Sequence, residues 1–286
     1  MLCDVLQVSR SGFYDWRQRK NSPPTPGEVK RRERLAAVEA AFHASREIYG
    51  YRKIHAALRR KGVACSPNTV HADCQHAGIK SVTRRKYRVK TTDSNHQHAI
   101  ANNVLNRDFT ASKPNEKWLT DITYVDTLEG WLYVVVILDM FSRKIVGYAM
   151  ADHLRASLVV SALKSALMLG RKIVGEIFLH SDRGVQFASS EFREALRLAG
   201  IGQSMSRAGD CWDNAPCESW FGKLKSEWIY QQDVFATRKE AELAIVEYIE
   251  MIYNGERLHQ SLDYQTPNEF EANYFDEQLE LTNTLK

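Results

Sequence analysis

Residues 118–139 read WLTDITYVDTLEGWLYVVVILD and decide the fold. Their first part, 118–127, alternates between apolar and polar residues as a half-buried strand does. Gly130 predicts a turn, and residues 131–139 form the nearly continuous apolar run of a strand buried on both faces. Strands are also predicted at 144–150, 176–181 and 203–205, with helices at 157–169 and 190–199. Three hairpin-like strands followed by alternating helix and strand predict an α/β fold, a mixed five-stranded sheet flanked by helices.

Helical patterns continue after this core, which we place at residues 113–232. Asp213 or Asn214 can cap a helix that runs through Trp228, because short polar side chains satisfy the first amides of a helix. Residues 233–286 then predict a helical C-terminal tail.

An all-α region precedes the core. Residues 1–90 predict a helical DNA-binding region, interrupted by the proline-rich linker 21–27, and residues 49–79 predict a helix-turn-helix. Ser66 and Pro67 mark the start of its second helix as the capping residue and the first helical residue. Residues 91–112 are polar and predict an extended connector between the helical region and the core.

The mild net charge of +4 hides a strong asymmetry. Residues 1–112 carry 21 Lys and Arg against 9 Asp and Glu, a net charge of +12, whereas residues 113–286 carry 18 against 26, a net charge of −8. A basic front half predicts a module that binds a polyanion. The ordinary composition excludes disordered and collagen-like chains, the longest apolar run is too short to span a bilayer, and scattered cysteines fit a reducing cytosol.

Three carboxylates occupy positions at which α/β sheets collect functional groups. Asp121 lies in the first strand, Asp182 follows the strand at 176–181, and Glu218 lies in the first turn of a helix, where the helix dipole favours the ionised form. Meeting at one sheet edge, they would form an oxygen-rich Mg²⁺ site. Two such ions can activate a nucleophilic oxygen and stabilise the leaving oxygen of a phosphodiester. Taken singly, each residue is more often a turn, cap or solvated helix residue.

Five stretches of the sequence resemble the DDE transposases and retroviral-type integrases. They are WLTDITYVDT, HSDRGVQF, MSRAGDCWDNAPCESWFGKLK, YNGERLHQSLDYQTPNEF and YGYRKIHAALRRKGVACSPNTVHADCQHAGI. The 35 residues between Asp182 and Glu218 match the spacing of that family. The resemblance is nearest to the second-frame product of bacterial insertion sequences that have two overlapping reading frames.

This resemblance implies an RNase H-like fold for residues 113–230. It makes Asp121, Asp182 and Glu218 a catalytic, metal-binding triad. It also points to Lys225, which follows Glu218 by seven residues and therefore lies on the same helix face. A cation at that position would meet a DNA phosphate.

Other residues of these stretches have supporting roles with open alternatives. His180 either orients Asp182, touches DNA or is a hydrogen-bonded core histidine. For Asn214 the role of helix cap is favoured. The string DMFSR at 139–143 predicts a turn with a local ion pair, with a role in the site as the alternative.

The helix-turn-helix predicts the DNA contacts of the front region. Early residues of its second helix, Thr69 and His71, would meet base edges in the major groove. Basic residues on the helix before this one would also contact DNA. Those of the run 80–90, which follows it, would contact phosphates. These basic residues are Arg52, Lys53, Arg59, Arg60, Arg84, Arg85, Lys86 and Arg88. A zinc site is an alternative for four residues whose spacing matches no common zinc finger, namely Cys65, His71, Cys74 and His76.

These observations together predict a transposase that cleaves DNA 3′ ends and transfers the strands with two Mg²⁺ per site, for which Mn²⁺ can substitute. The expected partners are DNA, further copies of the chain in at least a dimer, and a first-frame product, fused or separate. No membrane association is expected, and the expected location is the bacterial cytoplasm, in association with the nucleoid. The alternatives are an RNase H-like structure-specific nuclease that cuts without joining, and a domesticated DNA-binding regulator without catalysis.

Overall fold

The computed structural model describes residues 7–82, 99–168, 176–208 and 210–284. Two compact units make up the chain, Met1–Ser81 and Val82–Lys286. The predicted phosphate contacts Arg84, Arg85, Lys86 and Arg88 lie outside the described residues, as does part of the predicted connector. In the described part of the chain, no helix is both long and apolar enough to cross a membrane.

The first unit is helical, as predicted. Its helices are α1 (Arg10–Asn21), α2 (Pro26–Ala44), α3 (Tyr51–Arg60) and α4 (Pro67–His76). Ser66 caps α4 by accepting a hydrogen bond from the amide of Thr69 at 3.1 Å, and Pro67 is the first helical residue. Gly62 has a φ of +77° after α3, a conformation that glycine adopts without steric cost. The predicted helix-turn-helix is therefore confirmed.

A small core and one ion pair hold these helices together. Buried apolar side chains come from α2 (Val38, Phe42), α3 (Ile54, Leu58) and α4 (Val70). In addition, the Arg34 Nε of α2 donates to the Asp73 Oδ2 of α4 at 2.6 Å. Asp73 is buried, and a buried carboxylate needs such a partner.

The second unit contains the predicted five-stranded mixed sheet. Its strands are β1 (Lys117–Val125), β2 (Leu132–Asp139), β3 (Ile145–Ala151), β4 (Ile177–Ser181) and β5 (Ile201–Met205). The order is β3-β2-β1-β4-β5. The first three strands are antiparallel neighbours, whereas β4 and β5 run parallel to β1. This topology confirms the RNase H-like sheet expected from the sequence.

Helices cover both faces of the sheet. They are α5 (Ala156–Met168), the short α6 (Val185–Ala188), α7 (Ser190–Leu198), α8 (Ala215–Glu227), α9 (Arg238–Glu247) and α10 (Pro267–Thr284). One apolar cluster joins Leu119 and Val136 of the sheet to α8 and α9, and another joins Trp118 and Val135 to α5 and α7. Residues of alternate parity on β1 and β2 thus face opposite cores.

The stretch at 253–270, which resembles the tail motif of the transposase family, makes contacts that stabilise the fold. After α9 the chain continues as a π-helix, Tyr248–Glu256. Its buried Asn254 accepts a hydrogen bond from the Ile145 amide and donates one to the Ile145 carbonyl, both at 3.0 Å. Arg257 Nε, also buried, donates to Glu227 Oε2 at 2.8 Å. These contacts attach the tail to the start of β3 and to the end of α8.

Candidate active site

The sheet register brings Asp121 and Asp182 to matching positions on neighbouring parallel strands. Strands β1 and β4 pair through three residues each, and the last pair is Leu119 with His180. Asp121 and Asp182 each lie two residues beyond that pair, where β4 has ended. This point, between an antiparallel and a parallel neighbour of β1, is the kind of strand end at which open α/β sheets place their sites.

Helix α8 presents Glu218 in its first turn. Cys217 is fully buried in the apolar cluster that also contains Leu119 of β1, whereas Glu218 is exposed. Alternation along β1 places Asp121 on the same face as Leu119. Asp121 therefore faces the side of the sheet on which α8 packs.

Electrostatics show that the three carboxylates converge. Burial, then the charge of Asp182 and more weakly that of Glu218 raise the pKa of Asp121 well above its usual range. A hydrogen bond from the Ile122 amide to Asp121 Oδ1, at 2.8 Å, opposes this shift. Burial and the charges of Asp121, Glu218 and Asp182 likewise raise the pKa of the Cys217 thiol well above its usual range. The charges of all three predicted triad members therefore act on Cys217.

The donor set suits a divalent cation that prefers oxygen ligands, because it consists of carboxylates whose mutual repulsion such a cation relieves. The side chains do not form a closed cage: within residues 7–82, 99–168, 176–208 and 210–284, no three His, Cys, Asp or Glu side chains are arranged to ligate one ion. The oxygen donors of Asp121, Asp182 and Glu218 nevertheless have the chemistry that suits such a cation.

Lys225 of α8 is partly buried. Its Nζ is 5.0 Å from the ring centroid of Tyr124 on β1. Burial lowers the pKa of Lys225, and the charge of Asp121 partly opposes this. A partly buried ammonium beside an acidic cluster is well placed for a phosphate that approaches the cluster.

A cleft of about 270 Å³ opens beside the acidic pair. Its wall combines Asp121 and Asp182 with aromatic residues of the β1–β2 hairpin and with residues of the loop and helix after β4. The lining residues are Asp121, Ile122, Thr123, Tyr124, Trp131, Tyr133, Leu154, Asp182, Gly184, Gln186 and Phe187. The Gly184 amide donates to Asp182 Oδ1 at 2.9 Å, which fixes one carboxylate oxygen at the cleft.

Asn214 does not cap α8 with its side chain, so that prediction is wrong. It occupies the capping position, but its side chain accepts no hydrogen bond from the helix. Instead Asn214 Nδ2 donates to the carbonyl of Thr120 at 3.2 Å. Asn214 is buried, and this bond attaches the start of α8 to the backbone just before Asp121.

Asp213 is not a cap either, and its role could not be read from the sequence. Its fully buried carboxylate accepts hydrogen bonds from Arg207 (backbone N 2.9 Å, Nε 3.0 Å and Nη2 2.7 Å), from Arg107 Nε at 2.8 Å and from Asn103 Nδ2 at 2.9 Å. The Arg207 hydrogen bond, more than any other contact, holds the pKa of Asp213 far below its usual range. This network fixes the loop that leads into α8 and Glu218.

His180 is a hydrogen-bonded core histidine, one of the alternatives that its position left open. Its Nδ1 is 2.8 Å from Ser204 Oγ and its Nε2 is 3.1 Å from Ser206 Oγ. Burial lowers the pKa of His180 to about 4, so the ring is neutral at pH 7. His180 thus links the end of β4 to β5 as an uncharged group.

Asp139 belongs to a turn, as predicted for the string DMFSR. Its buried carboxylate accepts hydrogen bonds from the amides of Phe141 at 3.0 Å, Ser142 at 2.8 Å and Asn115 at 2.8 Å. Those bonds occupy both carboxylate oxygens of Asp139, so its hydrogen bonds within the fold account for its burial.

The predicted DNA contacts of the helix-turn-helix are at its surface. Arg52, Arg59 and Arg60 are exposed on α3, and Lys53 is partly exposed. On α4, His71 is exposed and its ring lies 4.6 Å from that of Tyr51, whereas the Thr69 hydroxyl lies 2.9 Å from the hydroxyl of Ser66.

The four residues of the possible zinc site are not brought together as ligands. Cys65 and Cys74 are free thiols, and burial raises the pKa of each thiol, which disfavours the thiolate that zinc requires. Within the described residues, Cys65, His71, Cys74 and His76 form no group that could hold a metal ion.

Matches to family models and to related proteins identify the family to which the chain belongs. Residues 29–87 match an HTH-like domain, and residues 111–211 and 199–267 match two models of an integrase core domain. The chain is 38% identical over 274 residues to the insertion element IS600 uncharacterized 31 kDa protein of Shigella sonnei, covering 96% of this chain and 98% of that one. It is 36% identical over 270 residues to the transposase InsF for insertion sequence IS3A of Escherichia coli strain K12, covering 94% and 92%.

Among solved structures, the HTLV-2 integrase catalytic core domain in complex with magnesium aligns with 57% of this chain and 99% of that chain, at 17% identity and a TM-score of 0.45. The family is shown by the sequence relatives, which match this chain almost from end to end. The chain therefore belongs to the insertion-sequence transposases of the IS3 type, which join an HTH-like domain to an integrase core domain.

Proposed function

We propose that this chain catalyses Mg²⁺-dependent cleavage at the 3′ ends of an insertion sequence and transfer of those ends into target DNA. Asp121, Asp182 and Glu218 are the residues that would hold the metal. The observation that supports the proposal is that Asp121 and Asp182 lie at matching positions beyond the last β1–β4 pair and line one cleft, while the charge of Glu218 also raises the pKa of Asp121.

The reaction consists of two in-line displacements at phosphorus. Water attacks the phosphodiester at the element end, which breaks the P–O3′ bond and leaves a 3′-hydroxyl on the element. That hydroxyl then attacks a target phosphodiester, forms a new P–O3′ bond and releases a target 3′-hydroxyl. When bound, divalent cations activate the attacking oxygen and stabilise the leaving oxygen, so no side chain needs to act as general base.

Protein groups around the site supply position and charge. The Gly184 amide orients the carboxylate of Asp182, and Asn214 ties the start of α8 to β1 beside Asp121. The ammonium of Lys225 would contact a phosphate of the bound strand. His180, neutral and bonded to two serines, holds β4 in place.

DNA is the expected macromolecular partner. Residues 1–90 would bind it through the helix-turn-helix. Thr69 and His71 would contact base edges, and the basic residues of α3 would contact phosphates. The basic run that includes Arg84, Arg85 and Lys86 would add further phosphate contacts before the core at 113–232. Bringing two element ends together implies at least a dimer, and a first-frame product, fused or separate, would add to the assembly in the cytoplasm near the nucleoid.

A strand-transfer assay tests this proposal and its alternatives. A duplex of the element's own end with a recessed 3′-hydroxyl is incubated with target plasmid and Mg²⁺, using wild type and the Asp182→Asn variant. We expect the wild type to join the duplex to the plasmid, and the variant to bind DNA without joining it. Cutting without joining would support a structure-specific nuclease, and DNA binding without Mg²⁺-dependent chemistry would support a regulator; either result contradicts the proposal.

A further inference from the structure

Three aromatic residues line one side of the cleft beside the acidic pair. Tyr124 and Tyr133 are direct partners in the β1–β2 ladder, and Trp131 precedes Tyr133 by two residues, so alternation places all three on one face of the hairpin. The ring of Trp131 meets that of Tyr124 edge-on, with centroids 4.4 Å apart and planes at 83°. We call Tyr124, Trp131 and Tyr133 the aromatic wall.

The aromatic wall is held rigidly at its exposed end. Arg238 Nε donates to the Trp131 carbonyl at 3.1 Å, and Arg238 Nη2 donates to the Glu129 carbonyl at 2.6 Å. Within the turn, Thr127 Oγ1 donates to the Gly130 carbonyl at 2.6 Å. A side chain on so constrained a turn loses little entropy when it binds a ligand.

Trp131 is 44% exposed despite its large apolar ring, and packing of the core does not account for that position. Next to the aromatic wall is the polar end of the cleft, where Asp121 and Asp182 lie. Lys225 Nζ lies 5.0 Å from the Tyr124 ring centroid. The cleft thus offers an aromatic surface and an acidic end, and a cation lies beside Tyr124 without lining the cleft itself.

Those properties match a nucleotide. An aromatic surface stacks on the face of any base, the cation attracts a phosphate, and the acidic end repels a phosphate unless a metal intervenes. A cleft of about 270 Å³ has room for one ring system with its sugar. A base can enter it only after leaving the duplex stack, as in enzymes that extrude a nucleotide.

We propose that the aromatic wall stacks one unpaired base of the bound DNA strand, adjacent to the phosphodiester under attack. This subsite rests on the proposed DNA cleavage and adds to it a base-stacking position that holds the scissile phosphate at Asp121 and Asp182. Trp131, on the exposed side of the wall, supplies the main stacking surface. The element end must therefore open by one base when it binds.

The test is a double-mutant cycle between Trp131 and the DNA. Dissociation constants are measured by fluorescence anisotropy for duplexes of the element end, either intact or with a single abasic site at each of the last few positions of the cleaved strand. Wild type, Trp131→Ala and Trp131→Phe are compared, with Leu128→Ala as control, because Leu128 is 77% exposed on the same turn but does not line the cleft.

We expect Trp131→Ala to weaken binding of the intact duplex about 5- to 150-fold, the loss that one base–aromatic stack predicts. An abasic site at one position should weaken wild-type binding similarly, and the two changes together should cost no more than either alone. Trp131→Phe should retain most of the affinity, and Leu128→Ala should bind like the wild type. Wild-type affinity for Trp131→Ala, or losses that add at every position, would overturn the subsite.

Cleavage of the intact duplex by the wild type in Mg²⁺ is measured in parallel. If the wild type cleaves and Trp131→Ala behaves identically, the stacking subsite fails while the proposed function stands. If the wild type itself does not cleave, the proposed function fails, and the subsite fails with it.

Discussion

Replacing Asp213 with Asn should destabilise the second unit and misplace Glu218. The carboxylate accepts five hydrogen bonds, two on Oδ1 and three on Oδ2. An amide in its place turns one oxygen into a donor, so at least two of these bonds are lost whichever way the group is oriented. Each charge-assisted bond contributes about 1.5–3 kcal/mol.

The exposure of the two arginine partners to water brings the expected loss toward the lower end of that range. The side chains of Arg107 and Arg207 are 44% and 47% exposed, so water can solvate both guanidinium groups once their partner is gone. We therefore expect a loss of about 2–4 kcal/mol in the free energy of unfolding. For a unit of this size, that loss corresponds to a thermal unfolding midpoint about 5–15 °C lower.

The assay is thermal unfolding followed by circular dichroism at pH 7 and at acid pH, with Asp210→Asn as the matched control. Asp210 belongs to the same loop and also pairs with Arg107, but its side chain is 23% exposed, so its loss should cost less than about 1 kcal/mol. Because the pKa of Asp213 is depressed in the folded state, its contribution is present above the unfolded pKa near 4 and is lost as the pH falls below that value. An Asp213→Asn midpoint equal to that of the wild type at pH 7, or an equal loss in Asp210→Asn, would refute this reasoning.

Three further predictions concern other parts of the chain. Asp121→Asn should raise the thermal unfolding midpoint of the metal-free protein, because it removes a carboxylate whose ionised form is disfavoured by burial and by Asp182. Mg²⁺ should stabilise the wild type but not this variant, and a lower metal-free midpoint in the variant would contradict this expectation. Asn254→Ala should cost about 2–4 kcal/mol in urea unfolding, since it leaves the amide and carbonyl of Ile145 without their partner, whereas Asn268→Ala, at an exposed position, should be nearly neutral; equal effects would argue against the Asn254 bonds. Arg52→Ala should weaken DNA binding at all sequences and reduce the slope of log affinity against log salt by about 1, whereas the exposed Arg197→Ala should leave the slope unchanged, and an unchanged slope in Arg52→Ala would remove it from the DNA contacts.

Local sequence patterns predicted most of the elements. Alternation along 118–127 and the apolar run at 131–139 correspond to β1 and β2, and Ser66 with Pro67 begins α4. Such features depend on neighbours within a few residues, which is why periodicity and capping rules detect them. The short α6 and the π-helix Tyr248–Glu256 were not predicted, because both depend on packing against distant segments rather than on a local pattern.

Long-range polar contacts were beyond the reach of the sequence. Asp213 and Asn214 were interpreted as caps because short polar residues before a helix usually are. Asp213 pairs with Arg107, 106 residues away, as well as with Arg207 in its own loop, and Asn214 pairs with Thr120, 94 residues away. No local signal distinguishes a cap from a buried partner of this kind. The aromatic wall, by contrast, follows a local pattern: Tyr124 pairs with Tyr133 in the hairpin, and Trp131 lies two residues before Tyr133.

The central claim is that Asp121, Asp182 and Glu218 act together to hold the metal for strand cleavage. Glu218→Gln is the sharpest test, because Glu218 is exposed and its replacement should leave the core packing intact, while its charge acts on Asp121. The measurement is the rate of Mg²⁺-dependent 3′-end cleavage of the element-end duplex, with DNA affinity determined in parallel. We predict a rate lower by more than about 100-fold with unchanged affinity. A variant that cleaves at the wild-type rate would contradict the assignment of the triad.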